Sequence, residues 1–157
     1  MKARKAEAAK PVITATVSVD IPAPADKVYE ALLDISVLPQ WAQPVKSIRR
    51  DGEGFAMEYM LPDGPVPCRC DEDADPARKT VDWTVRFKGG EPIRIYSRVL
   101  PVGPADSTYV FTFTSPPLPA RMPKDPLGAI RKNLSKDLEK LRDIVVRRAK
   151  SAGGPAR

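Results

Sequence analysis

Histidine is absent from the 157 residues. That excludes Ser-His-Asp and Cys-His triads, imidazole proton shuttles, HExxH zinc sites and two-His-one-carboxylate iron sites. Cysteine is nearly as scarce, and two thiols cannot complete a four-cysteine zinc site. Long hydrophobic runs are missing too: nothing approaches the roughly 18 apolar residues a membrane span needs. The segment Met1–Lys10 is charged and Ala-rich and leads into no signal-peptide core, so a cytoplasmic protein without an anchor is expected. Chemistry here would have to use Asp, Glu, Tyr, Ser, Cys, Lys or Arg, and neither a cofactor nor a metal is expected.

Hydrophobic residues make up 42% and charged residues 29%, the balance of a folded domain rather than a disordered chain. The net charge of +6 would suggest a polyanion partner if it were spread over the molecule. It is not. Lys2, Arg4, Lys5 and Lys10 against Glu7, and Arg147, Arg148, Lys150 and Arg157 with no acid, account for all of it. The segment between holds 18 basic and 19 acidic residues. A neutral body with basic ends disfavours nucleic acid and reads as a single domain over 11–147, flanked by basic tails at 1–10 and 148–157.

Proline is abundant, with 18 residues where about 5% is usual, yet it serves as punctuation. None interrupts 25–38, and none falls between Pro126 and Pro155. Those are the two windows of helical period. Before them, Ile13, Ala15, Val17, Val19 and Ile21 alternate with polar residues, as a half-buried strand does. Val28, Ala31, Leu32 and Ile35 then predict a helix from about Ala25, and Ser36–Trp41 a second short one. Six strands are predicted at 46–51, 54–61, 66–72, 79–88, 92–100 and 107–115. Asp51-Gly52, Asp63-Gly64, Asp75-Pro76, Gly89-Gly90 and Gly103-Pro104 lie between them, and such short connections imply an antiparallel meander. One face carries Phe55, Met57, Tyr59, Leu61, Val81, Trp83, Val85, Phe87, Ile93, Ile95, Val99, Tyr109, Phe111 and Phe113. The other carries Glu58, Arg69, Asp82, Arg86, Lys88, Arg94 and Arg98, and faces water. Asp125-Pro126 is a helix start. Ile130, Leu134, Leu138, Leu141 and Val145 follow at helical spacing until Gly153-Gly154-Pro155 stops the run.

The phrase Val17-Ser-Val-Asp-Ile-Pro-Ala-Pro-Ala-Asp-Lys-Val-Tyr29, continued by Leu32-Leu-Asp and Leu38-Pro-Gln-Trp41, resembles the opening of the START-like (SRPBCC) superfamily. That superfamily includes the birch-pollen allergens and the polyketide cyclase/dehydrase proteins. The resemblance covers about 11–147 and implies an α+β helix-grip fold. In it a curved antiparallel sheet of about seven strands surrounds a long C-terminal helix, with two short helices after the first strand. It also implies a cavity for a hydrophobic molecule between sheet and helix, lined by Tyr59, Cys70, Trp83, Ile95, Ser97, Phe111, Leu134 and Leu138. The same side chains would equally fill a solid core.

Cys68 and Cys70 share one face of a predicted strand, roughly 6.6 Å apart, near the outer limit for a disulfide; they read as small wall residues. Tyr59, Ser97 and Tyr109 are the hydroxyls of the apolar face, and each needs a partner if buried. Trp41 and Trp83 read as core. On the sheet, Glu72 is the sole inward carboxylate, so acid–base catalysis has little to work with. Pro116-Pro-Leu-Pro119 matches PxxP, but its place before the last helix makes an ordered loop the better reading; the resemblance implies that this loop borders the cavity mouth, with Leu118 and Met122 as gate residues. The sequence therefore points first to non-catalytic binding or carriage of a lipid, isoprenoid or aromatic polyketide. A polyketide cyclase/aromatase using the same cavity comes second, and a protein-interaction module third. On oligomeric state it is silent.

Overall fold

The computed structural model describes residues 13–116 and 125–152. Strand β1 (Ile13–Ile21) ends at Pro22, and Pro24 opens α1 (Ala25–Leu33), whose Val28, Tyr29, Ala31 and Leu32 are buried. The helix stops two residues short of Ile35. The carboxylate of Asp34 accepts hydrogen bonds from the Ser36 amide (3.0 Å) and hydroxyl (2.6 Å), a turn that competes with the helical ladder. Helix α2 is correspondingly short (Leu38–Trp41) and drives Leu38 and Trp41 into the core.

Six strands follow: β2 (Val45–Asp51), β3 (Gly54–Leu61), β4 (Gly64–Asp75), β5 (Thr80–Arg86), β6 (Ile93–Gly103) and β7 (Asp106–Ser115). Each pairs antiparallel with the next, and β1 returns beside β7, giving the order β1-β7-β6-β5-β4-β3-β2 in one curved seven-stranded sheet. Gly52 at φ +64° allows the tight turn from β2 to β3. At the β4–β5 turn, Asp75 Oδ1 accepts the amides of Ala77 (3.0 Å) and Arg78 (3.3 Å). Of the expected apolar face, Leu61, Phe87, Ile95 and Phe113 are only half-buried and the rest are buried. Of the polar face, Glu58, Arg69, Arg86, Arg94 and Arg98 are exposed, as is Lys88 beyond the end of β5, while Asp82 is half-buried and accepts the Ser97 amide at 3.2 Å.

The grip is completed by α3 (Pro126–Ala152), about 40 Å long. Asp125 caps it through a hydrogen bond from the Gly128 amide to Oδ1 at 2.9 Å. Leu138, Leu141, Ile144 and Val145 are buried against β1, α1 and α2. The stretch from Arg148, expected as tail, continues the helix to Ala152, and Arg148 pairs with Asp34 at 3.4 Å. The tail expected at 1–10 and the gate residues Leu118 and Met122 lie outside the described residues. No helix among the described residues is long and apolar enough to cross a membrane.

Candidate functional site

The curved sheet and the single helix do not close perfectly. Between the sheet, α2 and α3 lies an apolar cavity of about 60 Å³, and beside it a groove of about 400 Å³ bounded by β3, Pro44 and the first half of α3. Pro44, Tyr59, Phe113, Leu134 and Asp137 line both spaces. Met60, Leu61, Pro62, Ile130 and Asn133 line the groove alone. The inner space suits a small head group rather than a ring system, and the groove is the only one of the two with room for a larger body.

Of the residues expected to line a cavity, Tyr59, Cys70, Trp83, Ile95, Phe111 and Leu134 surround this one. Ser97 and Leu138 do not. Ser97 does point inward and is buried, but its hydroxyl donates to the Val81 carbonyl at 2.6 Å, inside the sheet. Leu138 is fully buried in the core outside the cavity lining. The two cysteines are free and buried, and burial pushes both thiols up, Cys70 to about 12. Neither supplies a thiolate at neutral pH; Cys70 lines the cavity, whereas Cys68 lines neither the cavity nor the groove.

The structure adds a residue that the sequence reading passed over. Asp137, on α3, is buried at 3% exposure and lines both cavity and groove. Its Oδ2 accepts the Gln43 amide at 3.3 Å, while Oδ1 has no hydrogen-bond partner among the described residues. Loss of water raises its carboxyl to about 6, against partial relief from the Gln43 amide and the charge of Lys140. The inward carboxylates are therefore two rather than Glu72 alone. Glu72 is tied down by the Trp83 indole N–H, 3.0 Å from Oε2. The signal for Asp137 was its spacing: it stands three residues after Leu134 and four before Leu141, in the middle of the buried stripe.

Three further polar groups are buried nearby. The Trp41 indole N–H has no partner among the described residues, and its ring meets Tyr109 and Phe111 edge-on at 6.5 and 6.4 Å. Tyr59 packs edge-on against Phe87 at 5.7 Å, and burial keeps its phenol protonated. Tyr109 is fully buried, likewise protonated, and its hydroxyl makes no bond of good geometry among the described residues. Tyr59, Trp41 and Asp137 are thus the residues bearing a hydroxyl, an indole donor and a carboxylate around an apolar inner cavity, the groove adds Gln43 and Asn133, and neither space is lined by lysine or arginine among the described residues.

A family model described as polyketide cyclase/dehydrase and lipid transport matches residues 12–146. Among solved structures, the chain is similar to the Zhui aromatase/cyclase from Streptomyces sp. R1128 at 18% identity and a TM-score of 0.73. That match covers 92% of this chain and 100% of the other. A protein from Thermus thermophilus matches at 18% identity and 0.72, covering 88% and 100%. A START superfamily protein from Mycobacterium smegmatis matches at 16% and 0.66, covering 84% and 98%. No curated protein matches the sequence.

Proposed function

The chain belongs to the polyketide cyclase/dehydrase and lipid transport family, and on that premise we propose that it binds or carries a hydrophobic small molecule without transforming it. A lipid, isoprenoid or aromatic polyketide would lie in the groove with one end in the cavity. The observation that carries the reading is the lining itself: apolar walls from β3, β5, β6, β7 and α3, opened by one groove, with Trp41, Tyr59 and Asp137 around the inner cavity and Gln43 and Asn133 along the groove. Burial of the ligand's apolar surface would supply most of the affinity, at about 25 cal/mol per Å² removed from water. The domain proposed for this is the one first bounded at 11–147, extended by the last turn of α3, acting in the cytoplasm.

Native mass spectrometry of gently purified protein, paired with mass analysis of its organic extract, tests the proposal. A stoichiometric hydrophobic adduct supports it. A clean unliganded mass that persists after incubation with lipids and polyketide mimics overturns it.

Asp137 favours a second reading, a cyclase/aromatase, because a carboxyl titrating near 6 suits proton transfer at neutral pH. The similarity to a protein described as an aromatase/cyclase points the same way. Tyr59→Phe and Asp137→Asn separate the two. A cyclase loses turnover of a poly-keto substrate by at least about 100-fold with folding intact, whereas a carrier loses only part of its affinity.

A further inference from the structure

The polar groups of the lining differ in what they demand of a ligand. Asp137 Oδ1 is a buried acceptor, and the Trp41 indole N–H is a buried donor. Both belong to residues lining the same cavity, and neither has a partner among the described residues. A buried polar atom left unpaired costs free energy that a ligand can recover by pairing it. The chemistry available is narrow. A ketone only accepts, and so serves Trp41 alone. An ammonium only donates, and so serves Asp137 alone. A carboxylate would bring a second negative charge beside Asp137 into a lining without lysine or arginine among the described residues. A hydroxyl both donates and accepts, and carries no charge.

Resting on the binding reading above, we propose that the ligand is a neutral hydrophobe bearing a hydroxyl, an alcohol or phenol, that donates to Asp137 at the inner end of the groove, and that anionic head groups are refused there. The groups facing Asp137 are consistent with this. The Gln43 amide donates to the other carboxylate oxygen, Tyr59 is a protonated phenol, and the one cation influencing the carboxyl among the described residues, Lys140, is an exposed residue of α3 itself. The tendency of Asp137 to lose its proton only above about 6 leaves it charged enough at neutral pH to repel an anion and accept strongly from a hydroxyl.

A matched set of probes on one ring system tests this: naphthalene, 2-naphthol, 2-naphthoate and 2-naphthylmethylammonium. They are titrated into the full chain at about pH 7.5 and followed by calorimetry and by the two tryptophan indole N–H resonances in NMR. A hydrogen bond to a charged group predicts that 2-naphthol binds about tenfold or more tightly than naphthalene. Naphthoate and the ammonium should both be weaker than naphthol, and the Trp41 resonance should move with naphthol. In Asp137→Leu the naphthol preference falls to nothing, and in the isosteric Asp137→Asn naphthoate gains affinity; either variant suffices if the other fails to fold. Binding of all four probes with naphthoate or the ammonium equal to or above naphthol overturns the proposal while leaving the hydrophobic site standing. So does a naphthol preference that survives in Asp137→Leu. Binding of none overturns both.

Discussion

Asp137 sets the electrostatics of the site, and its titration has a definite sign. Its carboxyl is raised from 3.8 to about 6 in the folded chain, so the folded state holds this proton more tightly than the unfolded state does. The favourable contribution is therefore complete below about pH 4, is lost as pH rises through 6, and at pH 7 or above the folded protein carries an ionised, desolvated carboxylate. At about 1.4 kcal/mol per pKa unit the cost is on the order of 2–3 kcal/mol. Asp137→Asn is never ionised and escapes it. Urea unfolding of both proteins between about pH 4 and 8 should show the variant gaining relative stability across 4 to 6 and holding the gain above. A difference that stays flat with pH would mean the carboxylate is better solvated than its burial implies. Ser97 makes the opposite case, a buried hydroxyl fully used inside the protein. Ser97→Ala should cost about 1 kcal/mol by orphaning the Val81 carbonyl, yet leave 2-naphthol affinity within about twofold. A large affinity loss would place Ser97 back among the ligand contacts.

The elements themselves were legible because their signals are local. Alternation over 54–61 and 79–88, the glycine at Asp51-Gly52 and the Asp125-Pro126 helix start all act over a few residues, and each lies where the sequence put it, except that the second strand is trimmed to 80–86. What was not legible depended on contacts across the sheet or between layers. Ser97 looks inward by register, but only the pairing of β5 with β6 brings the Val81 carbonyl to its hydroxyl. Asp137 was overlooked because the stripe of α3 was traced through its apolar letters, although its position is as inward as those of Leu138 and Leu141. Leu138 sits on that stripe too, but its side chain is buried in the core outside the cavity lining. The cap of α3 is the element whose strength matters most to the site, because the turns it starts carry Ile130 and Leu134. Asp125→Ala removes the bond to the Gly128 amide and a favourable charge at the helix N-terminus, about 1 kcal/mol together. Far-UV circular dichroism should show a small loss of helix well below the melting transition; no loss at all would mean that the groove wall holds the first turn without its cap.

At the scale of the whole molecule the sheet has two open edges, β1 and β2. The first lies against α3, and the second carries Lys46, Arg49 and Arg50 exposed, charges that oppose pairing with another strand. The helix is held unevenly. No residue from 126 to 136 is buried, whereas Asp137, Leu138, Leu141, Ile144 and Val145 all are. Local stability follows buried contacts, so one end of α3 is anchored in the core while the other borders the groove. Hydrogen exchange should divide the helix accordingly. Amides of 130–136 should exchange through local opening, at least about tenfold faster than those of 138–148, which need something close to global unfolding. A hydrophobic ligand in the groove packs against Ile130 and Leu134, so saturating 2-naphthol should slow the first group by opposing its local opening, and the second as well, because a ligand bound to the folded state raises the free energy of global unfolding. Uniform protection along α3, indifferent to the probe, would mean that the helix is clamped over its full length and that entry to the cavity lies elsewhere.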